Sequence, residues 1–92
     1  MRECVYVIIV NYNAYECTIQ YIAQLRRQEN VSVQCVVVDS GSQDGSGDRL
    51  EESVSTAGDV TVLRMAHNRG YAAGNNVGLR YLSKNVGGDP FV

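Results

Sequence analysis

The stretch VSVQCVVVDSGSQDGSGD, residues 31–48, decides the fold class of this chain. The run from Val31 to Val38 begins with alternation and ends as a solid apolar block, a pattern typical of a strand whose far end is buried. It stops at Asp39 and passes into residues 39–45, whose Ser, Gly, Gln and Asp content predicts a loop. A carboxylate directly after a buried strand either solvates the strand end or faces a ligand.

Two more β-branched runs flank this strand. CVYVIIV (4–10) is predicted to be a first strand buried on both faces, and DVTVLRM (59–65) is predicted to be a shorter third strand. Helical patterns separate the runs, so the predicted order is β-α-β-α-β-α. This order indicates an α/β fold, a three-layer parallel Rossmann-like sheet with right-handed crossovers.

Three helices are predicted between and after the strands. In the first, Tyr15, Ile19, Ile22 and Leu25 form one apolar stripe, and we expect Asn13 and Glu16 to cap its start. The second is predicted from about Ser46 to Ala57, with Leu50 and Val54 inward and Gly58 as its stop. The third, residues 71–85, contains Gly74 and Gly78, which lower helix propensity, and the small residues of GYAAG (70–74) are expected to permit close packing of this helix on the sheet.

Composition narrows the class of protein. The chain has 92 residues and a net charge of −2, with no basic run, which argues against nucleic acid as a partner. The three cysteines match no zinc pattern, and we expect Cys4 and Cys35 to be buried, reduced thiols. Reduced thiols predict a cytoplasmic location. The first apolar run is too short to span a bilayer.

Polar clusters follow all three predicted strands, at residues 11–13, 39–44 and 67–70. Ligands bind beyond the carboxyl ends of the strands in an open parallel sheet, so these clusters should lie along one rim. There Asp39 could accept a hydrogen bond from a ribose hydroxyl or a base N–H, and Tyr12 could stack on a flat ring. The alternative is that these residues simply form loops. No dinucleotide fingerprint, P-loop or nucleophile elbow is present.

The segments VYVIIVNYNAYE (5–16), VQCVVVDSGSQDGSGD (33–48) and VTVLRMAHNRGYAAGNNVGL (60–79) together resemble the N-terminal half of family 2 glycosyltransferases. These are inverting enzymes with the GT-A fold, and the similarity is greatest to the rhamnosyltransferase-like branch. The resemblance implies that residues 1–92 are the nucleotide-sugar-binding half of such a domain. It implies a UDP- or dTDP-sugar as donor, a hexose or deoxyhexose such as rhamnose as the transferred sugar, and a glycan or lipid-linked acceptor in polysaccharide biosynthesis.

The resemblance also implies roles for individual residues. Val10, Asn11 and Tyr12 correspond to the segment that cradles the nucleobase. Asp39 corresponds to the aspartate that hydrogen-bonds the base. Ser40 stands where the family usually has Asn.

The third motif implies a further wall of the same pocket. Asn75 falls where many relatives carry a nucleotide-contacting arginine. Gly70 and Asn76 are expected to shape that wall, whereas Asp44 and Ser46 are expected to cap the second helix.

The resemblance places the metal and catalytic groups elsewhere. The family's Asp-x-Asp or Asn-Pro-Asp motif ends a fourth strand, and this sequence stops at Phe91-Val92, where that strand would begin. Asp89 precedes it and is not expected to bind metal. We therefore expect the divalent cation, Mg or Mn, and the catalytic base to belong to the full-length enzyme, in the cytoplasm or at the inner face of the membrane. The resemblance therefore implies a fragment of an enzyme, in which residues 1–92 carry neither the metal motif nor the catalytic base.

One structural consequence is an open strand edge. The family sheet order 3-2-1-4 would leave the first strand at the edge of this chain, and a long apolar edge strand invites pairing with another chain. We therefore expect self-association through the first strand. A non-catalytic α/β nucleotide-binding or oligomerisation module is the alternative to the enzyme.

Overall fold

Residues 3–28 and 31–86 are described by a computed structural model of the chain. Within them the elements alternate: β1 (Glu3–Asn11), α1 (Tyr15–Leu25), β2 (Val31–Ser40), α2 (Ser46–Ser53), β3 (Val60–Met65) and α3 (Tyr71–Val86). This confirms the predicted β-α-β-α-β-α order. The expected opening of a fourth strand at residues 91–92 and Asp89 lie outside the described residues.

The described strands form one parallel sheet in the order β1-β2-β3, with β2 in the centre. The register places Asn11 opposite Asp39 and Asp39 opposite Arg64. All three strands therefore end at the same edge of the sheet. The pairing of β2 continues through Asp39 and Ser40, two residues beyond the predicted end of the strand.

Helices cover both faces of the sheet. Val37, which is fully buried, packs in one cluster with Ile22 of α1 and Leu50 of α2. Val36 and Val38 point the other way and pack with Leu82 of α3. Alternation along a strand puts successive side chains on opposite faces, so the valine block of β2 supplies both cores. The predicted three-layer arrangement is confirmed.

Two glycines let α3 approach the sheet closely. A Cβ atom on Gly74 would lie 2.8 Å from Cγ1 of Val10, and one on Gly78 would lie 2.8 Å from Cγ2 of Ile8. The helix forms despite two residues of low propensity because packing decides the outcome. The prediction of close packing at GYAAG is confirmed at Gly74 but not at Gly70, where an added Cβ would have no neighbour within 4 Å, and the close contact at Gly78 was not predicted.

The predicted capping of α1 is wrong. The N-cap is Ala14, with no side-chain cap bond in the described residues, and Asn13 takes the left-handed conformation with φ 49°. The amide and side chain of Asn13 bond instead to Ser42 and Gln43 of the next loop. Contacts with a distant loop have therefore replaced a local cap.

The second helix is also shorter than predicted, because it ends at Ser53 rather than Ala57. Beyond it the amides of Ser55 and Ala57 bond three residues back, to Glu52 and Val54. Such bonds tighten the chain into turns. Leu50 and Val54 are nevertheless buried, as predicted.

The burial predicted for β1 is wrong as well. Cys4 is exposed and Val5 is 39% exposed, whereas Cys35 of β2 is buried. Among the described residues β1 pairs with β2 alone, so its start lacks the cover that both neighbours give to β2. Burial raises the pKa of the Cys35 thiol, which suits its place in the core.

Candidate functional site

The loops after the three strands meet at the carboxyl edge of the sheet. The Asn11 amide donates to Oδ1 of Asp39 at 2.9 Å, which joins the first loop to the second. The Ser40 hydroxyl donates to Oδ1 of Asn68 at 3.1 Å, which joins the second to the third. The prediction of three polar clusters on one rim is therefore confirmed.

Asp39 occupies the centre of this network and is only 1% exposed. Oδ1 accepts bonds from the Asn11 amide and, at 2.5 Å, from the Ser42 hydroxyl. Oδ2 accepts the Ser42 backbone N–H at 3.3 Å and lies 3.5 Å from Nε of Arg64. A buried carboxylate needs such partners, since burial without them is costly. Both of its oxygens are engaged inside the protein, so this conformation leaves almost no surface of Asp39 for a ligand.

Arg64, on β3, connects Asp39 to α2. Its Nη1 donates to Oδ1 of Asp48 at 3.0 Å and also bonds Glu51. Gly47 packs against the Asp39–Arg64 pair. A Cβ on Gly47 would lie 2.6 Å from Oδ2 of Asp39 and 2.6 Å from Nε of Arg64. A glycine at the second residue of α2 therefore makes room for the ion pair.

The first loop presents an aromatic ring beside a buried amide. Asn11 is fully buried, and its Oδ1 accepts the Thr18 hydroxyl at 2.6 Å, so both ends of the side chain are bonded. Tyr12, the next residue, is 40% exposed. The first loop thus combines a side chain fixed by hydrogen bonds, Asn11, with an aromatic ring exposed to solvent, Tyr12.

The third loop packs against Gly41, which has a φ of 68°. A Cβ at Gly41 would lie 2.7 Å from the carbonyl carbon of His67. Asn68 also accepts the Gly70 N–H at 2.8 Å, and Gly70 has a φ of 91° as the chain turns into α3. The side chain of His67 is exposed, and it has no part in this contact between backbones.

The other predicted residues lie around this rim. Val10 packs against Gly74 of α3, and Asn75 follows in the same turn, half-buried, with Asn76 exposed beside it. The structure therefore brings Val10, Asn11 and Asp39 to one sheet edge and sets the second turn of α3 alongside.

Asp44 and Ser46 shape the start of α2. The Asp44 carboxylate accepts the Ser46 backbone N–H at 2.9 Å and also bonds the Ser46 hydroxyl. These bonds, the hydroxyl first, hold the pKa of the Asp44 carboxyl below its usual value. Asp44 therefore satisfies the first N–H of α2, as expected, from the residue before the N-cap Gly45, whereas the predicted capping by Ser46 is wrong because its hydroxyl bonds Asp44 rather than the helix backbone.

Comparison with known proteins identifies the family. Residues 6–86 match the family described as Glycosyl transferase family 2. The chain belongs to this family. No curated protein matches its sequence significantly.

A solved mannosyltransferase structure shares the fold. The mannosyltransferase PcManGT from Pyrobaculum calidifontis, in complex with GDP-Man and Mn2+, aligns with a TM-score of 0.75 and 28% identity. The alignment covers 88% of this chain and 25% of that one, so this chain spans about a quarter of the relative's length. The three parallel strands and their helices match the N-terminal part of a GT-A glycosyltransferase fold.

The described residues of this family 2 domain contain no cluster of side chains suited to bind a metal ion. Across residues 3–28 and 31–86, no group of three or more His, Cys, Asp or Glu side chains could hold a metal ion. The carboxylates nearest the rim are engaged with Asn11, Ser42, Ser46 and Arg64. They therefore do not fit a resident cation. In the same residues, no helix is both long enough and apolar enough to cross a membrane.

Sequence reasoning missed several residues that build the rim. Thr18, Gly47 and Arg64 were not predicted to contribute, and Gly41 and Ser42 were predicted only as members of the polar cluster at residues 39–44, with no role of their own. Thr18 and Arg64 bond partners on other elements, so no local pattern marks them, whereas Ser42 bonds Asp39 only three residues away as well as the more distant Asn13. Gly41 was the more accessible signal, since a glycine just after a strand often marks a close approach or a left-handed turn.

Proposed function

We propose that this chain is the donor-binding part of a family 2 glycosyltransferase and binds the nucleotide of a nucleotide-diphosphate sugar. One observation carries the proposal: three loops of a family 2 domain meet on one rim, joined through Asn11, Asp39 and Asn68. Rims of this kind are where open parallel sheets bind ligands. The complex of PcManGT with GDP-Man supports a nucleotide sugar as the ligand class.

The proposed site assigns two kinds of role. Tyr12, exposed on the first loop, stacks on the base, while the backbone of Val10 and Asn11 lines its edge. Asp39 acts mainly by fixing the loops, because its oxygens are engaged; a direct bond to the base needs one of those partners to move. Gly70 and Asn75 form the opposite wall.

The transfer reaction itself is proposed for a longer protein. A base must take the acceptor proton, and a divalent cation would neutralise the departing diphosphate. We assign neither role to the described residues. For the donor, the sequence predicts a UDP- or dTDP-sugar, with rhamnose as the transferred sugar. It also predicts a glycan or lipid-linked acceptor and a cytoplasmic location.

Titration of the 92-residue chain with UDP, dTDP and GDP tests the proposal. We expect saturable binding by at least one nucleotide, weakened about tenfold in Tyr12→Ala, since stacking of one base on an aromatic ring is worth about 1–3 kcal/mol. Chemical-shift changes in NMR spectra suit weak affinities. The control is Tyr21→Ala, a comparably exposed tyrosine on α1, which should bind like the parent.

The alternative module gives a different result in the same titration. Absence of binding by all three nucleotides at millimolar concentration would favour an α/β scaffold whose role is association. Equal losses in Tyr12→Ala and Tyr21→Ala would contradict the proposed site while leaving the family intact.

We also propose that the 92-residue chain self-associates through β1. Tyr21 and Tyr71 are 50% and 68% exposed and line a hollow beside β1 with Ile8, Ile9 and Val10. An apolar strand edge of this kind pairs readily with a second copy, and two-fold pairing is the commonest arrangement. Sedimentation at high micromolar concentration should show a dimer, reduced in Val5→Lys because a charge on an edge strand opposes pairing. A strictly monomeric parent chain would contradict this.

A further inference from the structure

The Ser42 hydroxyl is a junction between the first two loops. It donates to Oδ1 of Asp39 at 2.5 Å, accepts the Asn13 backbone N–H at 2.9 Å and lies 3.3 Å from Nδ2 of Asn11. A serine hydroxyl has one donor and two acceptor sites, so these contacts use its full capacity. Ser42 therefore serves the protein rather than a ligand.

Asn13 completes a clasp on the other side of Tyr12. Its φ of 49° is left-handed, a conformation that asparagine tolerates better than most residues. Its Oδ1 accepts the Gln43 backbone N–H at 2.9 Å. The residues before and after Tyr12 are thus both tied to the loop at residues 41–45, while Tyr12 itself stays exposed.

We propose that Ser42 and Asn13 are positioning residues that hold Tyr12 in place to receive a nucleobase. The proposal rests on the proposed nucleotide site and deepens it. A loop backbone that is already fixed loses little conformational freedom when a base stacks on the ring it carries, so fixing the loop increases affinity. The hydroxyl of Ser42 is the group that matters, because it accepts the Asn13 N–H and holds Asp39 at once.

The first readout needs no nucleotide. In 15N relaxation of the free chain, the Tyr12 amide should have an order parameter near the rigid value of about 0.85, falling below about 0.6 in Ser42→Ala. Ser42→Thr keeps the hydroxyl and should stay rigid. Ser53→Ala, which removes a hydroxyl bonded to Tyr15 between α1 and α2, is the matched control and should leave Tyr12 unchanged.

The second readout is affinity for UDP, dTDP or GDP, whichever binds the parent chain. Ser42→Ala should weaken nucleotide binding about three- to tenfold in the parent chain. In a chain that already carries Tyr12→Ala, the same substitution should have no further effect on affinity. This double-mutant cycle isolates the coupling between Ser42 and Tyr12. Ser42→Thr should bind like the parent.

The possible failures can be told apart. A rigid Tyr12 in Ser42→Ala, or equal loss of affinity with and without the Tyr12 ring, would overturn the positioning role alone. A parent chain that binds no nucleotide overturns the proposed function, and the binding role of the clasp with it.

Discussion

Replacing Gly41 with alanine is expected to destabilise this domain by about 3 kcal/mol, a large share of the roughly 5–15 kcal/mol typical of small domains. Two costs add. The left-handed φ of 68° costs an L-residue about 1–2 kcal/mol. The new Cβ would also lie 2.7–2.8 Å from backbone atoms of His67 and Asn68, and overpacking costs about 1–3 kcal/mol.

Urea denaturation of three glycine variants separates the two costs. Gly45 has a φ of 85° with nothing within 4 Å of its added Cβ, so Gly45→Ala should show the strain alone, about 1–2 kcal/mol. Gly58→Ala has neither strain nor a close neighbour and should change stability by less than about 1 kcal/mol. A Gly41→Ala cost no larger than that of Gly45→Ala would mean that the third loop does not press on Gly41.

Periodicity and composition were enough to predict the architecture. The valine block of β2 is apolar at every position, and only a central strand with helices on both faces buries all of it. Gly74 of α3 was correctly interpreted as a point of close packing, since a helix that must lie on Val10 has no room for a side chain there. Both predictions depend on which face of a strand or helix a residue occupies, and the spacing of residues in the sequence determines that face.

The errors share a different cause. Asn13 is a residue type that commonly caps helices, yet its backbone N–H bonds Ser42, which is 29 residues away in the sequence. Cys4 lies in an apolar run, yet its strand is paired on one side only in the described residues. Local pattern cannot specify which distant group competes for a hydrogen bond, nor which end of a strand its neighbours cover. The rim of the site is held largely by hydrogen bonds between residues distant in sequence. The sequence therefore predicted where the rim lies, but not which hydrogen bonds hold it together.

Asp39→Ala is expected to cost about 2–4 kcal/mol and to abolish nucleotide binding. The substitution removes the acceptor of the buried Asn11 amide, which keeps only the longer contact to Ser42, and also the acceptor of the part-buried Ser42 hydroxyl. A buried group left unsatisfied costs about 1–3 kcal/mol. Arg64 is 40% exposed and keeps Asp48 and Glu51, so it contributes little to the loss.

Asp48→Ala is the matched control, because it removes a second carboxylate bonded to the same arginine. The Asp48 side chain is 84% exposed, against 1% for Asp39. Exposed pairs contribute about 0–1 kcal/mol, so this variant should unfold and bind nucleotide much as the parent does. Burial, rather than pairing with Arg64, would then account for the difference.

Asp39→Asn separates the shape of the side chain from its charge. The amide oxygen can still accept bonds from Asn11 and Ser42, so we expect a cost about half that of Asp39→Ala, with the loops largely in place. If binding survives in Asp39→Asn and fails in Asp39→Ala at temperatures where both are folded, the carboxylate acts by organising the rim. Equal stability of Asp39→Ala and Asp48→Ala would contradict the buried network, and the proposed pocket would lose its foundation.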